Sequence, residues 1–138
     1  MIPERFAPQL YAVMRIVFGL VFLMYGAQKF GLLGGVDGKG AAAPFLSFPY
    51  GVAGLIEVVV GVLLVIGLLA KPAAFLGAGE MAVAYFMAHF PNAPLPVNNG
   101  GQPTVLFCFA FLYIASRGAG IWSVDGARSG GGAKAVSV

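Results

Sequence analysis

Long apolar runs alternate with glycine- and proline-rich segments along the chain, and four of the runs approach the ~20 residues needed to cross a bilayer as a helix. They cover residues 10–30, 51–70, 72–90 and 103–119. Pro72 suits the first turn of a helix, and Pro91, Pro94 and Pro96 stop the third run. The fourth is the shortest: its apolar core, residues 104–116, spans only ~20 Å as a helix. It must extend past Arg117, whose side chain can snorkel, or lie where the bilayer thins. Residues 31–50 form a glycine-rich loop that ends in Pro44, Phe45, Phe48, Pro49 and Tyr50, a cluster suited to the headgroup layer. A second loop, 91–102, carries no charge, and the tail at 127–138 (ARSGGGAKAVSV) reads as disordered.

Composition strengthens the membrane reading. Of 138 residues, 59% are hydrophobic and 9% charged, with mean hydropathy +0.90. Soluble domains carry about 25% charged residues, so a water-soluble form would lack polar surface to cover itself. A net charge of +3, scattered along the chain, does not suit nucleic-acid binding. The single cysteine, Cys108, forms no intrachain disulfide and reads as a packing residue.

With four spans, Arg5, Lys71, Arg117, Arg128 and Lys134 share one side, and Lys39 and Lys29 lie toward the other. Positive charge marks the cytoplasmic face. The expected architecture is an all-α, multi-pass four-helix bundle with both ends in the cytoplasm, embedded in a bacterial inner membrane and surrounded by lipid. The length of the first run and the interruption at Arg15 argue against a cleaved signal peptide.

Charged groups inside a span are costly and face the bundle interior or a polar cavity. On an ideal helix Arg15, Gly19, Phe22, Gly26 and Lys29 fall within ~40° of one line. Tyr50, Gly54, Glu57 and Gly61 form a matching stripe. Small residues permit close helix approach, so the two stripes are expected to face each other. Depth along the spans then suggests two ion pairs, Lys29 with Glu57 and Arg15 with Glu80. Such pairs could serve only to fix helix register, or they could line a path for substrate or protons. His89 lies nine residues after Glu80 and points roughly the opposite way on a straight helix. It shares a site with Glu80 only if the helix end unwinds before Pro91; otherwise it is an interfacial or loop-bonded residue. The candidate ligand-binding set is Gln28, Lys29, Tyr50, Glu57 and His89. GGVDGKG lacks the GK[ST] ending of a phosphate loop, a single histidine rules out two-histidine haem ligation, and no metal constellation is present.

RIVFGLVFLMYGAQKFG, GLIEVVVGVLLVIGLLAKPAA, NNGGQPTVLF and GAGIWSVDG resemble the DoxX family of small bacterial membrane proteins across residues 10–126. The matching positions are Arg15, Gly19, Gly26, Lys29, Glu57, Gly61, Asn99, Gly100, Gly118, Gly120, Ser123 and Asp125. Gln102 stands where relatives often carry an acid. The resemblance implies a four-helix inner-membrane protein associated with quinone-linked oxidoreductase assemblies, with no covalent cofactor. Quinone or quinol is then the expected ligand, and oxidoreductase subunits or further copies of the chain are the expected partners. A scaffold without a small-molecule site, or a solute or lipid carrier using the charged face, are the competing readings.

Overall fold

The computed structural model describes residues 1–129, so the tail beyond Arg128 lies almost wholly outside the described residues. Helices α1 (Ala7–Lys29), α2 (Tyr50–Ile66), α3 (Ala70–Ala84), the short α4 (Pro96–Asn99) and α5 (Gln102–Arg117) carry the fold. A single 3-10 turn, Glu4–Phe6, leads into α1, and a π-helical segment, Tyr85–His89, continues α3. Among the described residues the only extended pairing is an isolated bridge between Phe30 and Ala42. Residues 124–129 are also helical, so 127–129, the start of the tail expected to be disordered, are ordered, and the rest of that tail, 130–138, lies outside the described residues. The second helix ends at Ile66, short of the expected residue 70, because Gly67 turns the chain into the left-handed region at φ +71°. No other residue fits there: a Cβ on Gly67 would sit 2.3 Å from Ser123 Cβ and 3.2 Å from Arg15 Cζ.

Two antiparallel hairpins build the bundle, α1 against α2 and α3 against α5, and they meet mainly where α2 packs on α3. The first hairpin closes on its glycines. A Cβ on Gly19 would lie 3.1 Å from the Gly61 carbonyl oxygen, and one on Gly61 would lie 2.8 Å from that of Gly19. A Cβ on Gly26 would lie 2.8 Å from the Gly54 oxygen, and one on Gly54 would meet Lys29 Cβ at 2.9 Å. The seven-residue spacing on each helix repeats the contact two turns along.

In the second hairpin α3 offers an alanine face, with Ala70, Ala73, Ala74 and Ala78 buried. That face makes room for the rings of α5. Phe111 seats over Gly77, where a Cβ would meet its ring at 2.9 Å. Phe22 of α1 contacts both Phe107 and Phe111, the latter edge-on at 4.8 Å between centroids. These rings join the hairpins around a core of Val60, Leu64 and Ile114.

The distribution of polarity is inverted relative to a soluble protein. Arg15 and Glu57 are buried, at 0% and 4% exposure, whereas Phe75, Phe86, Leu106 and Phe109 are all more than 60% exposed. Exposed apolar side chains continue along α1, including Leu10, Val13, Val17, Leu20 and Met24.

Candidate functional site

One end of the bundle is closed by a knot of side-chain-to-backbone bonds. Arg15, fully buried, donates from Nε to the Leu64 carbonyl at 3.0 Å. It donates from Nη1 to the carbonyls of Ala119 and Ile121, and from Nη2 to that of Trp122 at 2.7 Å. The expected Arg15–Glu80 ion pair is therefore incorrect. Four carbonyl oxygens take the planar fork of donors instead, and three of them belong to the segment after α5. A guanidinium can be neutralised by dipoles in this way because its charge is spread over several N–H groups.

The same knot explains much of the GAGIWSVDG motif. Asp125 accepts hydrogen bonds from the Leu69 and Ala70 amides at 3.0 and 2.9 Å, so it caps the start of α3. Its own amide donates to the Gly67 carbonyl. Tyr11 donates to the Gly118 carbonyl at 2.6 Å, and Ser123 donates to that of Gly120. Sequence reasoning had noted Asp125 and Ser123 only as matching positions. The signal was an acidic residue inside a glycine-rich segment, with a long separation from the helix it caps.

Nearer the other end lies a cavity of about 610 Å³. Phe22, Tyr25 and Lys29 enter from α1, Tyr50, Ile56 and Glu57 from α2, and Glu80 and Met81 from α3. His89 of the π segment, Thr104 and Phe107 of α5, and Phe48 of the long loop complete its principal walls. Most of these groups are apolar, and the polar ones are few.

Lys29 Nζ donates to both carboxylate oxygens of Glu57, at 2.9 and 2.7 Å. The pair is largely shielded, with side chains 18% and 5% exposed. Glu80 lies in the same cavity with neither partner: both of its carboxyl oxygens are buried and make no hydrogen bond. A buried polar group without a partner forfeits about 1–3 kcal/mol, so such groups are rare and each calls for a specific explanation.

His89 reaches this cavity because the helix widens. Over Tyr85–His89 the winding is π, and the Phe90 amide donates to the Tyr85 carbonyl at 2.8 Å, five residues back. Wider turns rotate each residue less about the axis. The side chain therefore departs from the opposite-face position that a regular α-helix would give it. The ring is fixed at Nδ1, 3.1 Å from the Asn99 carbonyl oxygen. Asn99 also organises the second loop: its side-chain amide donates to the Ala93 carbonyl and the Tyr85 hydroxyl, and its Oδ1 accepts the Gly101 amide. Tyr85 in turn donates to the Pro94 carbonyl at 2.9 Å. Neither Tyr85 nor this role for Asn99 was foreseen from sequence.

Of the candidate ligand set, Lys29, Tyr50, Glu57 and His89 line the cavity. Gln28 does not; it is half-buried, and its carbonyl accepts the Gly31 amide at 3.0 Å. Gln102 is the exposed first residue of α5. Phe45 also stands aside from the cavity and packs on Phe30.

The fold and site define an all-helical protein with charge turned inward onto an apolar-walled cavity and apolar side chains turned outward. The family model described as DoxX matches residues 10–90. The chain is also 38% identical over 128 residues to an uncharacterized protein of Haemophilus influenzae, covering 88% of this chain and 92% of that one. It belongs to the DoxX family, whose members are membrane-associated. No solved structure matches it.

Proposed function

We propose that this protein is a four-span inner-membrane protein with both ends in the cytoplasm, and that its cavity binds a membrane quinone or quinol on behalf of a partner oxidoreductase. The single observation that carries the ligand reading is the unpartnered Glu80 carboxyl beside the Lys29–Glu57 pair in one apolar-walled cavity. A volume of about 610 Å³ falls within the ~300–1,000 Å³ of small-molecule sites. A flat apolar ring with oxygen substituents suits aromatic walls and a small number of polar groups at one place. Phe22, Phe48, Tyr50 and Phe107 supply ring faces and edges. Lys29 and His89 can hydrogen-bond ring oxygens, and a carboxylate can hold a proton released there.

The topology rests on the inverted polarity. Among the described residues, Glu4–Lys29 is the one helix that is long and apolar enough to cross a membrane by itself, and Tyr50–Ile66 is a shorter apolar helix. Helix α3 with its π continuation, and α5 with 16 residues, fit a bilayer that thins locally or helices whose basic ends snorkel. Arg117 stacks over Tyr11, and Lys71 lies beside Gly118, so these two cations gather at the end knotted by Arg15. That grouping supports a cytoplasmic assignment for this end.

The test is chemical. Lipid extracted from purified protein should contain quinone at a level well above that of an unrelated membrane protein prepared in parallel, and Glu57→Gln should lower it to that background. Equal quinone in all three preparations overturns the ligand reading and favours a scaffold role. Labelling of cysteines introduced at residues 5 and 38 from either side of sealed vesicles tests the orientation.

A further inference from the structure

We infer that the end of the bundle knotted by Arg15 carries a site for the phosphate of an anionic membrane phospholipid, held by Arg117 with Lys71 beside it. This site is separate from the larger cavity and independent of the ligand bound there. It rests only on this end lying at the headgroup layer of a bilayer.

A smaller cavity, of about 220 Å³, lies between the start of α1 and the segment after α5, walled by Ala7, Pro8, Tyr11, Arg117, Gly120 and Ile121. The Tyr11 ring is a fixed wall. Its hydroxyl donates to the Gly118 carbonyl at 2.6 Å, and its ring meets Tyr113 edge-on at 5.7 Å between centroids. Gly120 approaches it as bare backbone at φ +71°, where a Cβ would sit 2.9 Å from Tyr11 Cδ1.

Arg117 is the one charged group in these walls. Its Cζ stands 5.8 Å from the centre of the Tyr11 ring. Lys71 arrives from the start of α3, its Cε 3.2 Å from the place of a Cβ on Gly118. Among the described residues the only ion pair is Lys29–Glu57, so neither cation has a carboxylate. The groups that could have answered them are committed elsewhere. Asp125 accepts from the Leu69 and Ala70 amides, and the carbonyls of Ala119, Ile121 and Trp122 accept from Arg15.

A guanidinium fork matches two oxygens of a phosphate, and an ammonium adds a point charge. The N-terminal end of α1 contributes partial positive charge from its dipole. Ala7, Pro8 and Ile121 suit a glycerol and the first carbons of an acyl chain. Depth favours a lipid over a free anion. Trp122 and Tyr113 are 61% and 49% exposed beside half-buried Tyr11, and such residues collect at the headgroup layer. Farther along, α1 and α5 meet through Phe18 and Phe107, edge-on at 5.3 Å, an apolar seam on which an acyl chain can lie. Basic pockets between spanning helices are where anionic headgroups bind.

The chain supplies its own reporter, because Trp122 is its single tryptophan and follows Ile121 of the cavity wall. The experiment reconstitutes the full chain in phosphatidylcholine vesicles and titrates in phosphatidylglycerol or phosphatidylcholine brominated near the headgroup end of the acyl chain. Contact with bromine quenches the tryptophan. Quenching should half-saturate at about tenfold less brominated phosphatidylglycerol than brominated phosphatidylcholine, the effect of one charge-assisted hydrogen bond. Arg117→Gln should abolish that preference and Lys71→Gln should weaken it several-fold, with circular dichroism showing both variants folded. Arg128→Gln removes the same charge outside the cavity walls and should leave the preference in place. Equal quenching by the two lipids in the unaltered protein overturns the inference. So does a preference that survives in Arg117→Gln, or one lost as fully in Arg128→Gln, which would mark diffuse surface charge. Release of the quenching by inorganic phosphate overturns the lipid as occupant in favour of a soluble anion. Absence of quenching by either lipid overturns the inference together with the placement of this end at the membrane.

Discussion

Glu80 and His89 line one cavity although they lie nine residues apart on a continuous helical path. Regular α-helical winding would set them on opposite faces. The five-residue π segment changes the phase between them, and the Asn99 carbonyl then holds the imidazole in place. Asn99→Ala removes three side-chain hydrogen bonds that order the second loop. Quinone retained on purification is expected to fall several-fold in this variant, with the melting temperature lowered by only a few degrees. Extraction and thermal denaturation, run side by side, check the two effects separately.

The Lys29–Glu57 pair gives a second expectation. Removing one partner leaves the other charge shielded and unpaired, which costs ~3–5 kcal/mol for a buried pair. Glu57→Ala should therefore melt far below the parent protein, whereas Lys29→Met combined with Glu57→Leu should recover most of the loss. Exposure of half-buried Cys108 to a fluorogenic maleimide during heating provides the melting curve. Stability without ligand retention in the double variant separates the chemical role of the pair from its structural one.

Glycine contacts between α1 and α2 predict a sharp contrast between neighbouring substitutions. A Cβ on Gly61 would lie 2.7 Å from the Leu23 amide nitrogen, so Gly61→Ala forces backbone apart and should cost at least the ~1–3 kcal/mol of an overpacked core. Nothing lies within 4 Å of a Cβ at Gly79. Gly79→Ala should leave the melting temperature unchanged or raise it slightly, since alanine is the better helix former by about 1 kcal/mol.

Arg15→Lys tests the knot at the other end. An ammonium retains charge but cannot reach four carbonyls in a plane. The expected outcome is a loss of about 2–4 kcal/mol, consistent with breaking a buried polar network, and faster tryptic cleavage after Arg117 as residues 118–126 come loose. Unchanged proteolysis in this variant would show that Arg15 does not hold that segment.

The first long loop carries a pH dependence. Asp37 Oδ1 accepts the Ala41 and Lys39 amides at 3.0 and 2.8 Å, and these bonds hold its carboxyl below the ordinary range. The order they give the loop is present above the unfolded carboxyl value of about 4 and is lost as pH falls through the lower folded value. Amide exchange at Lys39 and Ala41, corrected for intrinsic rates, should accelerate only below about pH 4. In Asp37→Asn it should be insensitive to pH over the same interval.

How much of this was legible in the sequence differs by element. The facing stripes of α1 and α2 could be read because charge and glycine recur at helical spacing, and both signals depend only on residues within one helix. Arg15 could not be matched to its partners, since backbone carbonyls carry no residue identity and three of the four lie after α5. Charge arithmetic favoured Glu80, the remaining acid at a comparable depth, and missed that a guanidinium can be neutralised by dipoles. The position of His89 depended on helical winding, which periodicity assumes rather than tests. Gln28 entered the candidate site by its depth at the outer edge of the span, which says nothing of the face it occupies; it precedes Lys29, and consecutive helical residues diverge by about 100° around the axis.

The bonds made by Arg15 also fix an order of events in the life of the chain. Its guanidinium emerges from the ribosome early, while the carbonyls of Ala119, Ile121 and Trp122 are synthesised only after α1–α5 are complete. During that interval the charge must be housed by water, by headgroups or by the insertion machinery. Completion of the bundle therefore waits on that segment, and the glycine-rich stretch works as a clasp that fastens only once translation has passed it.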